Sequence, residues 1–276
     1  MVKYIEKIED FAGLIFNLLK SDRDVNIAVG GFTGEGKSTF ATQLCKNYAK
    51  KAETYWGFDR MTWSRKEVMT WINGDKKGDG QLDEYSIILP DELFSMFYRR
   101  NWYDEEQIDG IATFNMCRDR HIMLCGNVPN FWDLDSAFTS RIRFYVYIPK
   151  RGIAWVFQQE NNPFSNDNWN VQENKKLFRK HNNPFKCKNF VCEIHYNDWN
   201  SSEKAKYYKI RNSKRLKAID QNKSEKQERY SAIKKQRDDL IKITKKPIKK
   251  GLSNKEVSDI IGMSREAVRL IREGLR

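Results

Sequence analysis

The chain has 276 residues, with 50 Lys and Arg against 37 Asp and Glu, for a formal net charge of +13. That length holds one sizeable domain and a small one, and no apolar run approaches the ~20 residues of a membrane span. The five cysteines are odd in number and scattered, which points to reduced thiols and a cytoplasmic location. The charge is unevenly placed. Residues 1–202 hold 27 basic and 27 acidic side chains, whereas residues 203–276 hold 23 and 10. The whole excess therefore lies in the C-terminal quarter, as expected of a nucleic-acid-binding segment.

The start, MVKYIEKIEDFAGLIFNLLK, carries acidic residues and amphipathic spacing and reads as a helix rather than a signal peptide. The apolar run VNIAV, residues 25–29, reads as a strand, and GGFTGEGKST follows it. From Gly31 this loop fits G-x-x-x-x-G-K-[ST], the phosphate-binding P-loop pattern. Gly31, Gly34 and Gly36 allow backbone angles that a Cβ resists, so successive N–H groups can turn toward an anion. The next segment, STFATQLCKNYAKK, reads as a helix whose N-terminus adds favourable partial charge. The nucleotide-binding set is then Gly31, Thr33, Gly34, Glu35, Gly36, Lys37, Ser38 and Thr39, with Lys37 on the β- and γ-phosphates of ATP and Ser38 on Mg²⁺.

The aromatic stretch ETYWGFDRMTWSRKEVMTWI reads as a short strand and a helix, and NGDKKGDGQLDE as a loop. Tyr85–Leu89 read as a strand buried on both faces, ending in Pro90-Asp91-Glu92. Two acids at the end of such a strand, after a P-loop, form the Walker B pattern. Asp91 is the candidate for holding Mg²⁺ through water, and Glu92 for polarising the attacking water. EEQIDGIATFNMCRDR has helical periodicity, and HIMLCGNVPN is another apolar strand, with Asn127 at its end as a candidate sensor of the γ-phosphate or the water. FWDLDSAFTSR reads as a helix, RIRFYVYIP as a strand, and GIAWVFQQ as its hairpin partner across Lys150-Arg151-Gly152. Buried strands separated by helices imply a parallel sheet wrapped by helices.

At GFTGEGKS, IILPDE, CRDRH and IMLCGN followed by Arg-Ile-Arg, the chain resembles the additional-strand, catalytic-glutamate branch of P-loop ATPases. The likeness is to FtsK–HerA and Zot-like ATPases and to viral DNA-packaging ATPases, and spans residues 25–148. It implies an α/β fold with a mostly parallel sheet and the strand bearing Asn127 inserted between the two Walker strands. It also implies ATP hydrolysis with Mg²⁺, a ring-shaped homo-oligomer, and an arginine supplied to the neighbouring subunit. Arg99, Arg100, Arg118, Arg120, Arg141 and Arg143 are available for that role, and Arg141, after the sensor strand, is the favoured candidate.

The tail LSNKEVSDIIGMSREAVRLIREGL, residues 252–275, resembles the helix-turn-helix of bacterial and phage DNA-binding proteins. Ser253 and Ser264 are candidate caps, Gly262 the turn, and Val257, Ile260, Ile261, Val268 and Ile271 the core face. Arg265 and Arg269, with Lys255, are the expected contacts to double-stranded DNA. Part of SEKQERYSAIKKQRDDLIKI is expected to supply a supporting helix, with KKPIKK a linker. The expected organisation is an ATPase core over 1–160, an Asn- and aromatic-rich extension over 161–202, a basic helical linker over 203–250 and a helix-turn-helix over 251–276.

Residues 160–202 carry no readable function. His181, Cys187, Cys192 and His195 do not have the spacing of common zinc sites. The leading expectation is an ATP-driven DNA motor for viral packaging or mobile-element transfer. A DNA-bound regulatory or replication ATPase, in which nucleotide acts as a switch, remains open.

Overall fold

The computed structural model describes residues 7–75, 77–101, 104–116, 118–161, 163, 165–249 and 251–273, and the chain divides into two compact units at Arg215/Leu216. That division falls inside the segment expected to be a linker.

The first unit is α/β. Its opening helix α1 (Ile8–Lys20) buries Phe11, Ala12 and Ile15 on one stripe, as its periodicity requires. Strand β1 (Asn26–Gly31) is buried at all six positions, because it sits in the middle of the sheet with helices over both faces. Helix α2 (Lys37–Ala52) follows the P-loop and buries Phe40, Leu44 and Tyr48. The aromatic stretch gives β2 (Met61–Thr62) and α3 (Arg65–Asn73), the latter capped by Ser64, which accepts from Glu67 N. Strand β3 (Ile87–Pro90) begins two residues later than expected, since Tyr85 has φ 60°, in the left-handed region.

Beyond it come α4 (Leu93–Met96), α5 (Glu105–Met116) and β4 (Met123–Asn127). The single helix expected over FWDLDSAFTSR is instead a 3-10 turn, Phe131–Asp133, and a short α6 (Ser136–Thr139). Asn130 and Asp135 each accept from a backbone N–H just beyond them and so start separate turns. Strands β5 (Ile142–Lys150) and β6 (Ile153–Gln158) form the expected antiparallel hairpin. Helix α7 (Val171–His181) and β7 (Phe190–His195) complete the sheet, which runs β2-β3-β4-β1-β5-β6-β7. The pairs from β2 through β5 are parallel, and β5-β6-β7 are antiparallel. Strand β4 thus lies between β3 and β1, where the resemblance places it. Phe97 stacks on Phe138 with ring centroids 4.0 Å apart, and both are fully buried. Each such ring stabilises the fold by roughly 1.5–3 kcal/mol relative to exposure.

Helix α8 (Ser201–Lys249) starts in the first unit and runs on through the second, and KKPIKK is no linker: α8 includes Pro247 and continues to Lys249. The second unit adds α9 (Asn254–Ile261) and α10 (Arg265–Glu273). Ser253 and Glu256 form a reciprocal capping box, and Gly262, at φ 73°, makes the turn between the helices. Val257, Val268 and Thr244 are fully buried, and Ser258 Oγ donates to the carbonyl of Met263 at 2.6 Å across the turn. Ile260, expected in this core, is 67% exposed, because the buried stripe of the two-turn α9 is centred on Val257. Among the described residues, no helix is long and apolar enough to cross a membrane.

Candidate nucleotide site

The parallel register brings the C-terminal ends of β1, β3 and β4 to one edge of the sheet: Val29 is opposite Asn127, and Ile88 opposite Leu124. The P-loop, Asp91, Glu92 and Asn127 all emerge there. Gly31, Gly34 and Gly36 take φ values of 140°, 92° and 96°, which only glycine adopts without strain. Gly36 caps α2 without a side chain, so the N–H groups of the first turn are not taken up by a capping oxygen. Phe32, Thr33 and Gly34 are exposed at the mouth, Glu35 is half-buried and Thr39 is buried beneath.

Lys37 bends back over its own loop, with Nζ donating to the carbonyls of Gly31 at 2.7 Å and Phe32 at 2.9 Å. Burial lowers its pKa, against the opposing pull of Asp91, Glu92 and Glu35. Ser38 Oγ donates to Asp91 Oδ1 at 2.8 Å, linking the two Walker segments. Asn127 Nδ2 lies within hydrogen-bond distance of the same carboxylate oxygen and, at 3.3 Å, of Ser38 Oγ. Gly126, just before it, is needed for close approach: a Cβ there would sit 2.9 Å from the Leu93 side chain. Among the described residues, buried Asn127 Oδ1 has no hydrogen-bond partner.

Burial raises the pKa of Asp91, offset by the hydrogen bonds from Ser38, Asn127 and Tyr207 and by the charge of Arg211. Burial also raises the pKa of Glu92, reinforced by Asp91 and opposed by Arg215, Arg211 and Lys37. A hydroxyl beside a carboxylate is an all-oxygen donor set suited to a hard cation such as Mg²⁺, which keeps much of its water. Ser38 and Asp91 would hold that ion, while Lys37 and the loop N–H groups would hold phosphates. Among the described residues, no cluster of His, Cys, Asp and Glu has the make-up of a separate metal centre.

Arg141 stands elsewhere. It precedes β5 at the opposite edge of the sheet, where its carbonyl accepts from Asn26 Nδ2 at 3.2 Å. Asn26 opens β1 and the P-loop follows its end, so about 16 Å of strand separates Arg141 from the loop of its own chain. The Arg141 side chain is exposed. In the second unit Lys255, Arg265 and Arg269 are all exposed, with Arg269 paired to Glu266 at 2.5 Å and Glu273 at 3.4 Å.

Four further residues beside the loop were not among the candidates read from the sequence. Tyr196, after β7, lies 3.3 Å from the Gly36 carbonyl, to which its hydroxyl donates. Arg151, in the β5–β6 turn, donates to the Gly34 carbonyl at 3.0 Å and pairs with Asp198 at 2.9 Å. Trp199 donates to Thr42 at 2.8 Å, and Tyr207 reaches both Ser38 and Asp91. The one sequence signal for them is the density of aromatic residues in YNDWN and KYYK, which is equally a signal of packing.

No protein-family model matches the chain, and no curated protein does. Among solved structures, similarity is found to the AAA domain of FIGL-1 at 15% identity and TM-score 0.37, covering 51% of this chain and 50% of that one. A structure described as the structural basis for katanin self-assembly matches at 14% identity and TM-score 0.33, covering 52% and 51%. The Escherichia coli MS115-1 HORMA:CdnC:Trip13 complex matches at 14% identity and TM-score 0.35, covering 63% and 67%. The chain thus spans about half the length of the first two.

Proposed function

We propose that the chain binds Mg²⁺ and ATP at the P-loop edge and hydrolyses the γ-phosphate. The observation that carries this reading is the convergence of Lys37, Ser38, Asp91, Glu92 and Asn127 at one sheet edge. Lys37 and the loop N–H groups grip the phosphates, and Ser38 and Asp91 place the metal. Glu92 takes a proton from the attacking water, and the unpartnered Oδ1 of Asn127 orients that water. Bound Mg²⁺ supplies neutralisation of the charge that develops on the phosphoryl oxygens.

The work driven is on double-stranded DNA, and the chain acts as a translocating motor of the packaging or mobile-element type. This part rests on the +13 charge confined to the last quarter of the chain and on the capped helix pair with exposed Lys255, Arg265 and Arg269. Arg141 serves the site of a neighbouring copy in a ring, a reading supported by its exposure and its distance from its own P-loop. ATPase rates measured with long and short duplexes test the motor reading. A rate that grows with duplex length supports translocation. A rate that duplex DNA stimulates independently of length moves the chain to the class of DNA-bound nucleotide switches.

A further inference from the structure

The stretch from Trp199 to Arg215 crosses the nucleotide edge of the first unit and is fastened along its length. Trp199 Nε1 donates to Thr42 at 2.8 Å, and Glu203 pairs with Lys46 at 2.7 Å, both on α2. At the far end Lys214 Nζ donates to the carbonyls of Asp59 at 2.6 Å and Met61 at 2.7 Å, and pairs with Glu67 at 3.0 Å. Between these anchors Tyr207 is 4% exposed, with the Trp199 ring tilted against it at 4.5 Å between centroids. Its hydroxyl oxygen lies 2.9 Å from Asp91 Oδ2 and 3.1 Å from Ser38 Oγ.

Those two distances are ordinary hydrogen-bond lengths, and they are also compatible with oxygens that share one Mg²⁺ ion. The ion holds oxygens at about 2.0–2.1 Å in an octahedron, so neighbouring ligand oxygens lie about 2.9 Å apart. The Tyr207 oxygen is therefore spaced from Ser38 Oγ like an adjacent ligand of one ion. Its hydroxyl is within donating distance of both Asp91 Oδ2 and Ser38 Oγ, and donation to Asp91 leaves a lone pair of the phenol oxygen for a cation. The Ser38–Asp91 hydrogen bond at 2.8 Å closes a triangle of side-chain oxygens.

We propose that Tyr207 is part of the metal site, its hydroxyl oxygen filling one coordination position in place of a water while its proton is held by Asp91. This rests on the Mg²⁺–ATP reading of the same edge. The anchors at Thr42, Lys46, Asp59, Met61 and Glu67 favour a strap that stays in place over one that the metal lifts away. The start of α8 is then a wall of the nucleotide site, and the metal is enclosed by a segment about 170 residues beyond the P-loop in sequence.

The test uses the full-length protein with Mn²⁺ in place of Mg²⁺ and a non-hydrolysable ATP analogue, counting metal-bound waters from the broadening of the Mn²⁺ EPR signal in ¹⁷O-enriched water. With Ser38 and two phosphate oxygens on the ion, wild type is expected to retain about two waters rather than about three. Tyr207→Phe keeps the ring and its packing against Trp199, and is expected to gain one water at full Mn²⁺ occupancy. Equal counts in both proteins, or about three waters in wild type alone, overturn the assignment of Tyr207 and leave the nucleotide reading intact. Failure of wild type to bind Mn²⁺ with the analogue overturns both.

Discussion

Asn127 donates to Asp91 across adjacent strands, so the last residue of β4 fixes the carboxylate that follows β3. The other end of the same amide, Oδ1, is buried and has no partner among the described residues. In the proposed mechanism this one side chain steadies the acid of the metal site and offers an acceptor to the reacting water. Asn127→Ala is expected to lower the ATPase rate by roughly 10²-fold, the scale of a small misplacement of reacting groups. Nucleotide binding should be little changed, because the P-loop is intact. Parallel binding and turnover measurements check this, and a near-normal rate in Asn127→Ala removes the water-orienting role.

Lys37→Ala is expected to abolish nucleotide binding, since it removes the cation that now lies 2.7 Å from the Gly31 carbonyl over the loop. Glu92→Gln should retain binding and lose hydrolysis by about 10²–10⁴-fold, the usual contribution of a positioned general base. Binding by fluorescent-nucleotide titration, set beside phosphate release, separates the two. Turnover by Glu92→Gln at the wild-type rate assigns the base elsewhere.

With Glu92 as the proposed base, its raised pKa is expected to set the acid side of the pH profile. Burial is the larger cause and Asp91 adds to it, so the side chain holds its proton above the ordinary value of 4.5. A base must be deprotonated, so activity is expected to fall with decreasing pH at a midpoint above that ordinary value. Arg215 and Arg211 oppose the rise. Arg215→Ala should therefore move the acid limb to higher pH. The linked stability has the same origin: the folded state binds this proton more tightly than the unfolded chain. Stability from this group accordingly decreases as pH rises through the interval between the ordinary and raised values. Rate profiles of the two proteins from acid to neutral pH test the shift, and a limb that moves down or stays fixed in Arg215→Ala contradicts it.

For DNA, Arg265→Ala is expected to weaken binding by about 1–3 kcal/mol at the preferred sequence and to relax that preference. Lys255→Ala should weaken binding to all sequences alike and reduce the salt slope by about one. Arg269 must first give up its pairs with Glu266 and Glu273, so its replacement should cost less than that of Arg265. Salt titrations with specific and scrambled duplexes distinguish these outcomes. Unchanged affinity in all three variants assigns the helix pair another task.

If Arg141 serves a neighbouring copy, Arg141→Ala is expected to lose about 10³-fold in rate while still binding ATP. Mixing Arg141→Ala with Lys37→Ala subunits should restore part of the activity, because an intact P-loop then meets an intact arginine. The specific rate of wild type should also rise with protein concentration. Assembly without rescue in the mixture removes Arg141 from this role.

The P-loop was legible in the sequence because its requirements are local: glycines that accept positive φ, a lysine at the helix start and a hydroxyl beside it. The strand ending in Asp91-Glu92 and the strand ending in Asn127 were legible because buried central strands must be apolar on both faces, and a polar residue marks where each stops. Gly262 and Ser253 marked the ends of the last helices for the same local reason. The split of FWDLDSAFTSR into two turns was hidden, since Asn130 and Asp135 fit a helical pattern until their side chains take up backbone N–H groups. The wall of the site was decided only by tertiary structure. Arg151 meets Gly34 across 117 positions, Tyr196 meets Gly36 across 160, and Tyr207 meets Ser38 across 169. No local propensity encodes such contacts. They exist because the antiparallel β5-β6-β7 extension carries the chain back past the P-loop, and because α8 starts where Thr42, Lys46 and Glu67 can hold it.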